Sequence, residues 1–306
     1  MDAILDWGLR VILTLQRLSP ALDLPFTLFT LLGDEAFFLL FLPFVYWCLD
    51  RRLGSRLTVA VLLSAYLNVV AKALAGQPRP FDLAPGIALI GEAMGGGLPS
   101  GHTQNSVVLW GYLGLQARRR WVWIVVALML VLIPLSRVYL GVHFPTDLLG
   151  GYLIGGLLLL LAQLLMPRLQ VWLGGLALTW QLALAVAFPL LLALVFPTEE
   201  GITASATLMG MSVGFALEPK WVGFRLSEVW RDRALGYLVG VAILGAIWLG
   251  LRVAFGLIGA TPLLRFVRYA LTGLWGALGA PWLLARVHLV RHIAPGHDER
   301  SESGRR

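Results

Sequence analysis

Residues 121–136 read WVWIVVALMLVLIPLS, and the next stretch, 137–147, reads RVYLGVHFPTD. The first segment is uncharged and has nearly the length that an α-helix needs to cross a bilayer core. The second segment adds an arginine, a histidine and a carboxylate directly after this apolar run. Ionisable groups in a membrane cost roughly 2.5–3.5 kcal/mol each on insertion scales, so they mark functional candidates. This stretch therefore predicts a membrane helix with chemistry at one end.

The composition predicts a polytopic membrane protein. The 306 residues are 58% hydrophobic and only 13% charged, whereas soluble domains carry about 25% charged residues. The net charge of +7 does not indicate a nucleic-acid partner, because the arginines lie in short loops between apolar runs, where they set topology. The lone cysteine, Cys48, allows no internal disulfide.

Hydropathy predicts an all-α fold that follows an amphipathic interfacial helix near residues 2–18. We expect nine spans, near residues 34–49, 56–76, 101–117, 121–140, 146–166, 172–196, 201–217, 234–256 and 263–286.

Basic residues predict the orientation of these spans. With nine spans, every basic loop and the C-terminal tail fall on one side, which the positive-inside rule assigns to the cytoplasm. We therefore expect a plasma (inner) membrane protein with a cytoplasmic C-terminus. The ends that carry polar motifs then face the extracytoplasmic side.

Two further polar segments lie at that same side. One is Lys72-ALAGQP-Arg79-Pro80, and the other is Pro99-Ser100-Gly101-His102. Lys72 ends an outward-going span, and His102 begins an inward-going one. Together with residues 136–147, these segments supply three cations, two histidines, a carboxylate and two serine hydroxyls, which suits holding a phosphate and attacking it.

The cations form a predicted phosphate clamp of Lys72, Arg79 and Arg137. Arginine can grip two phosphate oxygens at once, and lysine supplies a compact point charge. Ser100 and Gly101 open a helix whose first N–H groups and positive end favour an anion. Phosphoryl transfer depends mainly on positioning and electrostatics, so this set needs no metal.

His143 and Asp147 are four residues apart and share a helix face if a helix starts there. A carboxylate on one ring nitrogen leaves the other free to attack. We predict His143 as nucleophile, with a phosphohistidine intermediate, and Asp147 as its orienting partner. His102 is then the general acid for the leaving oxygen and the base for the incoming water.

Other polar residues leave alternatives open. Asn68 lies one turn before Lys72 and is predicted to orient it. Asp34 and Glu35 either bind a cation or tune the site, or they mark a helix start, which we favour. The loop 81–98 is a lid or a connector. No metal site and no cofactor are predicted, because no metal-ligand spacing of His, Asp, Glu or Cys stands out.

The three motifs resemble those of the type 2 phosphatidic acid phosphatase superfamily, which includes membrane lipid phosphatases and soluble haloperoxidases. Every motif position is present: Lys72, Arg79, Pro80, Pro99, Ser100, Gly101, His102, Ser136, Arg137, His143 and Asp147. The resemblance implies a six-helix core, metal-independent chemistry and phosphate binding by Lys72, Arg79, Ser100, Gly101 and Arg137. It also implies His143 as nucleophile, with His102 and Asp147 in the roles given above.

The C-terminal third departs from a six-helix core by about three helices. We predict an interfacial segment (1–32), a catalytic core (33–200), additional transmembrane helices (201–290) and a disordered cytoplasmic tail (291–306). Arg252, Arg265 and Arg268 lie near the outer ends of the added helices. They either reach a second anionic group of the substrate or anchor at the interface, and we favour anchoring.

The expected function is hydrolysis of a lipid phosphate or diphosphate. Phosphatidic acid, phosphatidylglycerol phosphate, sphingoid phosphates and undecaprenyl diphosphate are all open, and a polyprenyl diphosphate is favoured. A lipid phosphotransferase shares the first half-reaction, and an anionic-lipid transporter or flippase is the alternative from another class. The expected partners are the lipid substrate and the bilayer; the oligomeric state stays open.

Overall fold

Helices build almost the whole chain, as its apolar runs predict. The computed structural model describes residues 2–91, 95–117, 119–259, 261–287 and 291–292. Among these residues lie thirteen α-helices and two strands of two residues each. The prediction of an all-α, polytopic membrane protein is confirmed.

The chain divides into two compact units. The first comprises Met1–Phe41 and Arg56–Gln170, and the second comprises Leu42–Ser55 and Val171–Arg306. The helix Leu178–Val195 packs on the following helix and belongs to the second unit. The predicted catalytic core of 33–200 includes this helix, and its extent stays a prediction.

The first unit contains all or the larger part of eight helices. These are α1 (Asp2–Leu15), α2 (Asp23–Leu31), α3 (Glu35–Phe44), α4 (Arg51–Ala75), α5 (Pro80–Leu83), α6 (Gly101–Gln116), α7 (Arg120–Tyr139) and α8 (Pro145–Gly175). Pro80 and Pro145 are first residues of their helices, a position where the missing N–H costs nothing. Because α8 starts at Pro145, His143 lies two residues before its first turn and Asp147 lies within that turn.

The N-terminal segment belongs to the first unit and is not a separate element. Leu5 and Ile12 of α1 are buried in a cluster with Val138 and Phe144, while Trp7 on the same helix stays exposed. The helix α2 packs against α7 and is bent by 55° relative to α3. The segment before the predicted boundary at residue 32 thus packs against a helix that carries motif residues, and the boundary itself stays a prediction.

Five helices of the described residues are long and apolar enough to cross a membrane, or six if the bent pair of α2 and α3 forms one span. The prediction of nine spans is therefore higher than length and composition support. The helix α6 has 16 residues, about 24 Å, which is short of a ~30 Å core. The helix Glu199–Trp221 is rich in Thr, Ser and Gly, and the last predicted span is broken into shorter pieces.

The second unit holds the additional helices after residue 201, as predicted, together with α9. Its elements are α9 (Leu178–Val195), α10 (Glu199–Trp221), α11 (Trp230–Ile258), α12 (Pro262–Leu274) and α13 (Ala280–Arg286), with π-helical turns at Val45–Leu49 and Trp275–Gly279, and β1 (Phe224–Arg225) antiparallel to β2 (Arg291–His292). The predicted disordered tail, 291–306, lies outside the described residues except for β2.

Small residues let the helices of this unit pack closely. A Cβ at Gly210 or Gly273 would overlap the backbone of the facing helix, so α10 and α12 approach each other as only glycine permits. Near β1, the buried Glu218 accepts a hydrogen bond from the Phe224 N–H at 2.8 Å and pairs with Arg51 at 3.6 Å. This buried carboxylate thus has partners of its own within the second unit.

Candidate active site

All eight predicted site residues lie in the first unit, at helix ends or in the loops between them. Lys72 lies in the last turn of α4, and Arg79 immediately precedes α5. Ser100 is the N-cap of α6, and Arg137 lies in the last turn of α7. His143 lies between α7 and α8, and Asp147 lies in the first turn of α8.

His143 and Asp147 form the predicted pair. The His143 Nδ1 lies 3.0 Å from Asp147 Oδ2, and both side chains are buried, at 2% and 0% exposed. The carboxylate also accepts the Phe144 N–H at 2.9 Å and the Gln77 side-chain amide at 2.6 Å. A carboxylate in this position holds the hydrogen on Nδ1 and leaves a lone pair on Nε2.

The electrostatic surroundings of His143 keep it neutral. Burial, and then the positive charges of Arg137 and Arg79, lower the pKa of His143 well below its ordinary value. Lys72 acts in the same direction. The imidazole is therefore uncharged at neutral pH, which is the form that can attack as a nucleophile.

Arg79 lies directly against the unprotonated nitrogen. Its Nη1 is 3.4 Å from His143 Nε2 and donates to the Val142 carbonyl at 3.1 Å, and its Nε donates to the Gly95 carbonyl at 2.8 Å. The side chain is buried. These bonds fix the guanidinium beside the atom that would attack phosphorus.

The N-terminus of α6 is held by a buried amide network. The Ser100 N–H donates to the Asp147 carbonyl at 2.9 Å, which ties α6 to the first turn of α8. Asn68 Nδ2 donates to the Pro99 carbonyl at 3.3 Å and to Gln104 Oε1 at 2.9 Å. A Cβ on Gly101 would lie 2.9 Å from Asn68 Oδ1, so the close approach requires glycine. The contacts of Asn68 thus reach the start of α6, while its role toward Lys72 stays a prediction.

Arg137 is buried between α7 and α2. Its Nη1 lies 2.5 Å from the Thr30 hydroxyl, while its buried Nε has no hydrogen-bond partner among the described residues. A buried guanidinium N–H without an acceptor lowers the stability of the folded protein. An anionic ligand would supply the missing acceptor.

His102 contacts Asp34, for which the sequence favours a role at a helix start. The His102 Nε2 lies 2.9 Å from Asp34 Oδ1. Asp34 also precedes α3, where its carbonyl accepts the Phe37 N–H. Asp34 therefore both contacts His102 and marks the start of α3. The local sequence around Thr30, by contrast, does not indicate its contact with Arg137.

The loop between α5 and α6 is fixed where it is described. The Leu89 N–H donates to the Leu140 carbonyl at 3.0 Å, and Gln16 Nε2 bridges the carbonyls of Ile87 and Tyr139 at 2.8 and 2.9 Å. A Cβ on Gly97 would lie 3.0 Å from Asp147 Oδ2. These contacts favour a connector over a lid. Within the described part of the chain, no group of three or more His, Cys, Asp or Glu side chains is placed to hold a metal ion.

Comparisons with known proteins agree with the motifs. The family model described as PAP2 superfamily matches residues 54–170, and the model described as PAP2 superfamily phosphatase, transmembrane extension, matches residues 202–292. Sphingosine-1-phosphate phosphatase 2 of Mus musculus is 34% identical over 137 residues, which cover 42% of this chain and 38% of the mouse protein. Undecaprenyl-diphosphatase of Sulfolobus acidocaldarius is 33% identical over 110 residues, which cover 34% of this chain and 51% of that protein.

Among solved structures, the crystal structure of Aquifex aeolicus LpxE matches with a TM-score of 0.46 and 27% identity. The matched part is 51% of this chain and 93% of the LpxE chain. The match spans about half or less of the length of the two curated relatives. The two family models lie on either side of the division after Gln170 and together span most of the chain. The chain therefore belongs to the PAP2 superfamily.

Proposed function

We propose that this integral membrane protein is a phosphatase that hydrolyses lipid phosphates or diphosphates through a phosphohistidine, without a metal. One observation carries the proposal: a buried His143 is held by Asp147 on one ring nitrogen and faces Arg79 with the other. A transporter for anionic lipids has no need of this pair.

The first half-reaction forms a phosphorus–nitrogen bond. His143 Nε2 attacks phosphorus while the bond from phosphorus to the leaving lipid oxygen breaks. His102 donates a proton to that oxygen as it leaves. Asp147 stabilises the imidazolium form of His143 as positive charge develops on the ring.

The second half-reaction restores the enzyme. His102 takes a proton from a water molecule, whose oxygen attacks phosphorus. The phosphorus–nitrogen bond breaks, and inorganic phosphate leaves. Charge spreads over the three non-bridging oxygens throughout, and Lys72, Arg79 and Arg137, with Ser100 and Gly101 at the start of α6, are proposed to balance it.

The names of the relatives support a lipid phosphate as substrate class. They include a sphingosine-1-phosphate phosphatase, an undecaprenyl-diphosphatase and a phosphatidylglycerophosphatase. Among these, we favour a polyprenyl diphosphate such as undecaprenyl diphosphate, because an outward-facing site suits a carrier lipid that is recycled there. The basic loops support an extracytoplasmic site and a cytoplasmic C-terminus in the plasma (inner) membrane.

The test is phosphate release by purified protein from a panel of lipid phosphates, with His143→Ala as the decisive variant. We expect that variant to release no phosphate and to form no acid-labile phosphoprotein, while its thermal unfolding stays close to that of the wild type. Retained turnover by the folded variant would refute the mechanism.

The same assay separates the alternatives. Label that moves from the phosphorylated substrate to an acceptor lipid, with no free phosphate, would identify a phosphotransferase. Lipid movement across vesicles that survives His143→Ala would identify a transporter.

A further inference from the structure

Two arginines of the second unit share one indole ring. Trp248 and Arg252 lie one turn apart on α11, and the Arg252 Cζ is 5.4 Å from the centre of the Trp248 ring. Arg268 of α12 approaches the same ring at 5.9 Å and the Tyr269 ring at 4.8 Å. The hairpin of α11 and α12 thus gathers two guanidinium groups around Trp248.

This pair of cations lacks a carboxylate. Arg265, one turn before Arg268, is neutralised by Glu199 at 2.7 Å. Within the described part of the chain, neither Arg252 nor Arg268 has an acidic partner within 4 Å, and the Arg268 Nε has no acceptor. Two like charges on one ring repel each other unless an anion lies with them.

Sequence spacing places both arginines at the same membrane depth. Eighteen uncharged residues separate Arg233 from Arg252 on α11, a rise of about 27 Å. This rise is close to the ~30 Å thickness of a hydrocarbon core, which α11 is long and apolar enough to cross. Arg252, and Arg268 beside the same indole ring, therefore lie near the lipid phosphate level of the leaflet opposite to Arg233.

The surroundings also match a lipid interface. Tryptophan is enriched at this depth, where its ring lies between acyl chains and headgroups. The guanidinium fork matches the geometry of phosphate oxygens.

We propose that Arg252 and Arg268, supported by Trp248, bind the headgroup phosphate of an anionic phospholipid of that leaflet. The site takes an intact membrane lipid as a resident ligand and not as a substrate. It does not depend on the hydrolytic reaction, because its ligand stays unchanged.

The test measures thermal unfolding of the detergent-purified full chain as dioleoylphosphatidylglycerol is added. A ligand that binds the folded state raises the unfolding temperature. We compare the wild type, the double variant Arg252→Gln with Arg268→Gln, and the control Arg265→Gln. Because each arginine near an anionic surface contributes about fivefold, the double variant should need about 25-fold more lipid for the same shift. Phosphatidylcholine and inorganic phosphate should have no effect.

Three outcomes would overturn the proposal. One is a double variant that responds to phosphatidylglycerol within threefold of the wild type. Another is protection by inorganic phosphate equal to that by the lipid, which would indicate a site for soluble anions. The last is a raised KM of the double variant for diphosphate lipids, which would place these arginines on the substrate.

If the glutamine variant does not fold, the pair Arg252→Lys with Arg268→Lys replaces it. This pair keeps both charges and loses the planar fork, so we expect a smaller loss of about fivefold. An unchanged response of the lysine pair would then refute bidentate recognition of a phosphate.

Discussion

Replacing Asp34 with Asn tests whether the bend between α2 and α3 takes part in catalysis. The Asp34 carboxylate lies 2.9 Å from His102 Nε2. A hydrogen bond to a charged group contributes about 1.5–3 kcal/mol. The Asp34 side chain is 41% exposed, so water screens the interaction and we take the lower end of this range. The expected loss in kcat/KM is therefore about tenfold.

The pH profile distinguishes positioning from a merely structural role. Burial and the positive charge of Arg137 lower the pKa of His102 to about 4, and the Asp34 carboxylate opposes both effects by stabilising the protonated imidazole, the form that we propose as the proton donor. Without the carboxylate that pKa falls further, so the basic limb of kcat/KM should move to lower pH. The measurement is phosphate release from a lipid phosphate in detergent micelles across pH 3–9. The matched control is Glu35→Gln, which removes the adjacent, exposed carboxylate.

An Asp34→Asn enzyme with kcat/KM within twofold of the wild type and an unshifted profile would show that the carboxylate does not act through His102. An equal loss in Glu35→Gln would show only a general charge effect at this surface.

Two further substitutions and two inhibitor treatments test other parts of the proposed site. Thr30→Val removes the acceptor of Arg137 Nη1, and we expect KM to rise about fivefold, whereas Thr27→Val, one turn earlier, should leave KM unchanged. Gly101→Ala puts a methyl group 2.9 Å from Asn68 Oδ1, so it should displace the start of α6 and lower kcat at least tenfold; normal turnover would mean that α6 tolerates the shift. Treatment with EDTA should leave phosphate release intact, and loss of activity that added divalent metal restores would contradict the metal-independent mechanism. Vanadate should inhibit competitively, since it resembles the five-coordinate phosphorus; the absence of inhibition would argue against that transition state.

The motif residues could be predicted because a membrane makes them conspicuous. Lys72, Arg137 and Asp147 interrupt or border apolar runs, and their positions at one end of the predicted spans bring them together by topology alone. The pairing of His143 with Asp147 needs only helical spacing, because the two residues belong to one local turn.

The contacts of Thr30 and Asp34 could not be predicted in the same way. They join residues that are 107 and 68 positions apart in sequence, and no local periodicity encodes such a pairing. The bonds from Asn68 to Pro99 and Gln104 likewise depend on how α4 meets α6. Hydropathy located the helices, but the division after Gln170 follows from packing between α9 and α10, which apolar runs do not specify.

The bend between α2 and α3 has a consequence for biogenesis. Thr30 and Asp34 are synthesised before Arg137 and His102, so their contacts form only after α6 and α7 have been inserted. A chain that begins at Gly54, where the family match starts, would keep every motif residue and still lack the partners of His102 and Arg137. Completion of the site is therefore a late event in membrane insertion, and a tag or fusion that delays docking of the first helices would yield inserted protein with lowered activity.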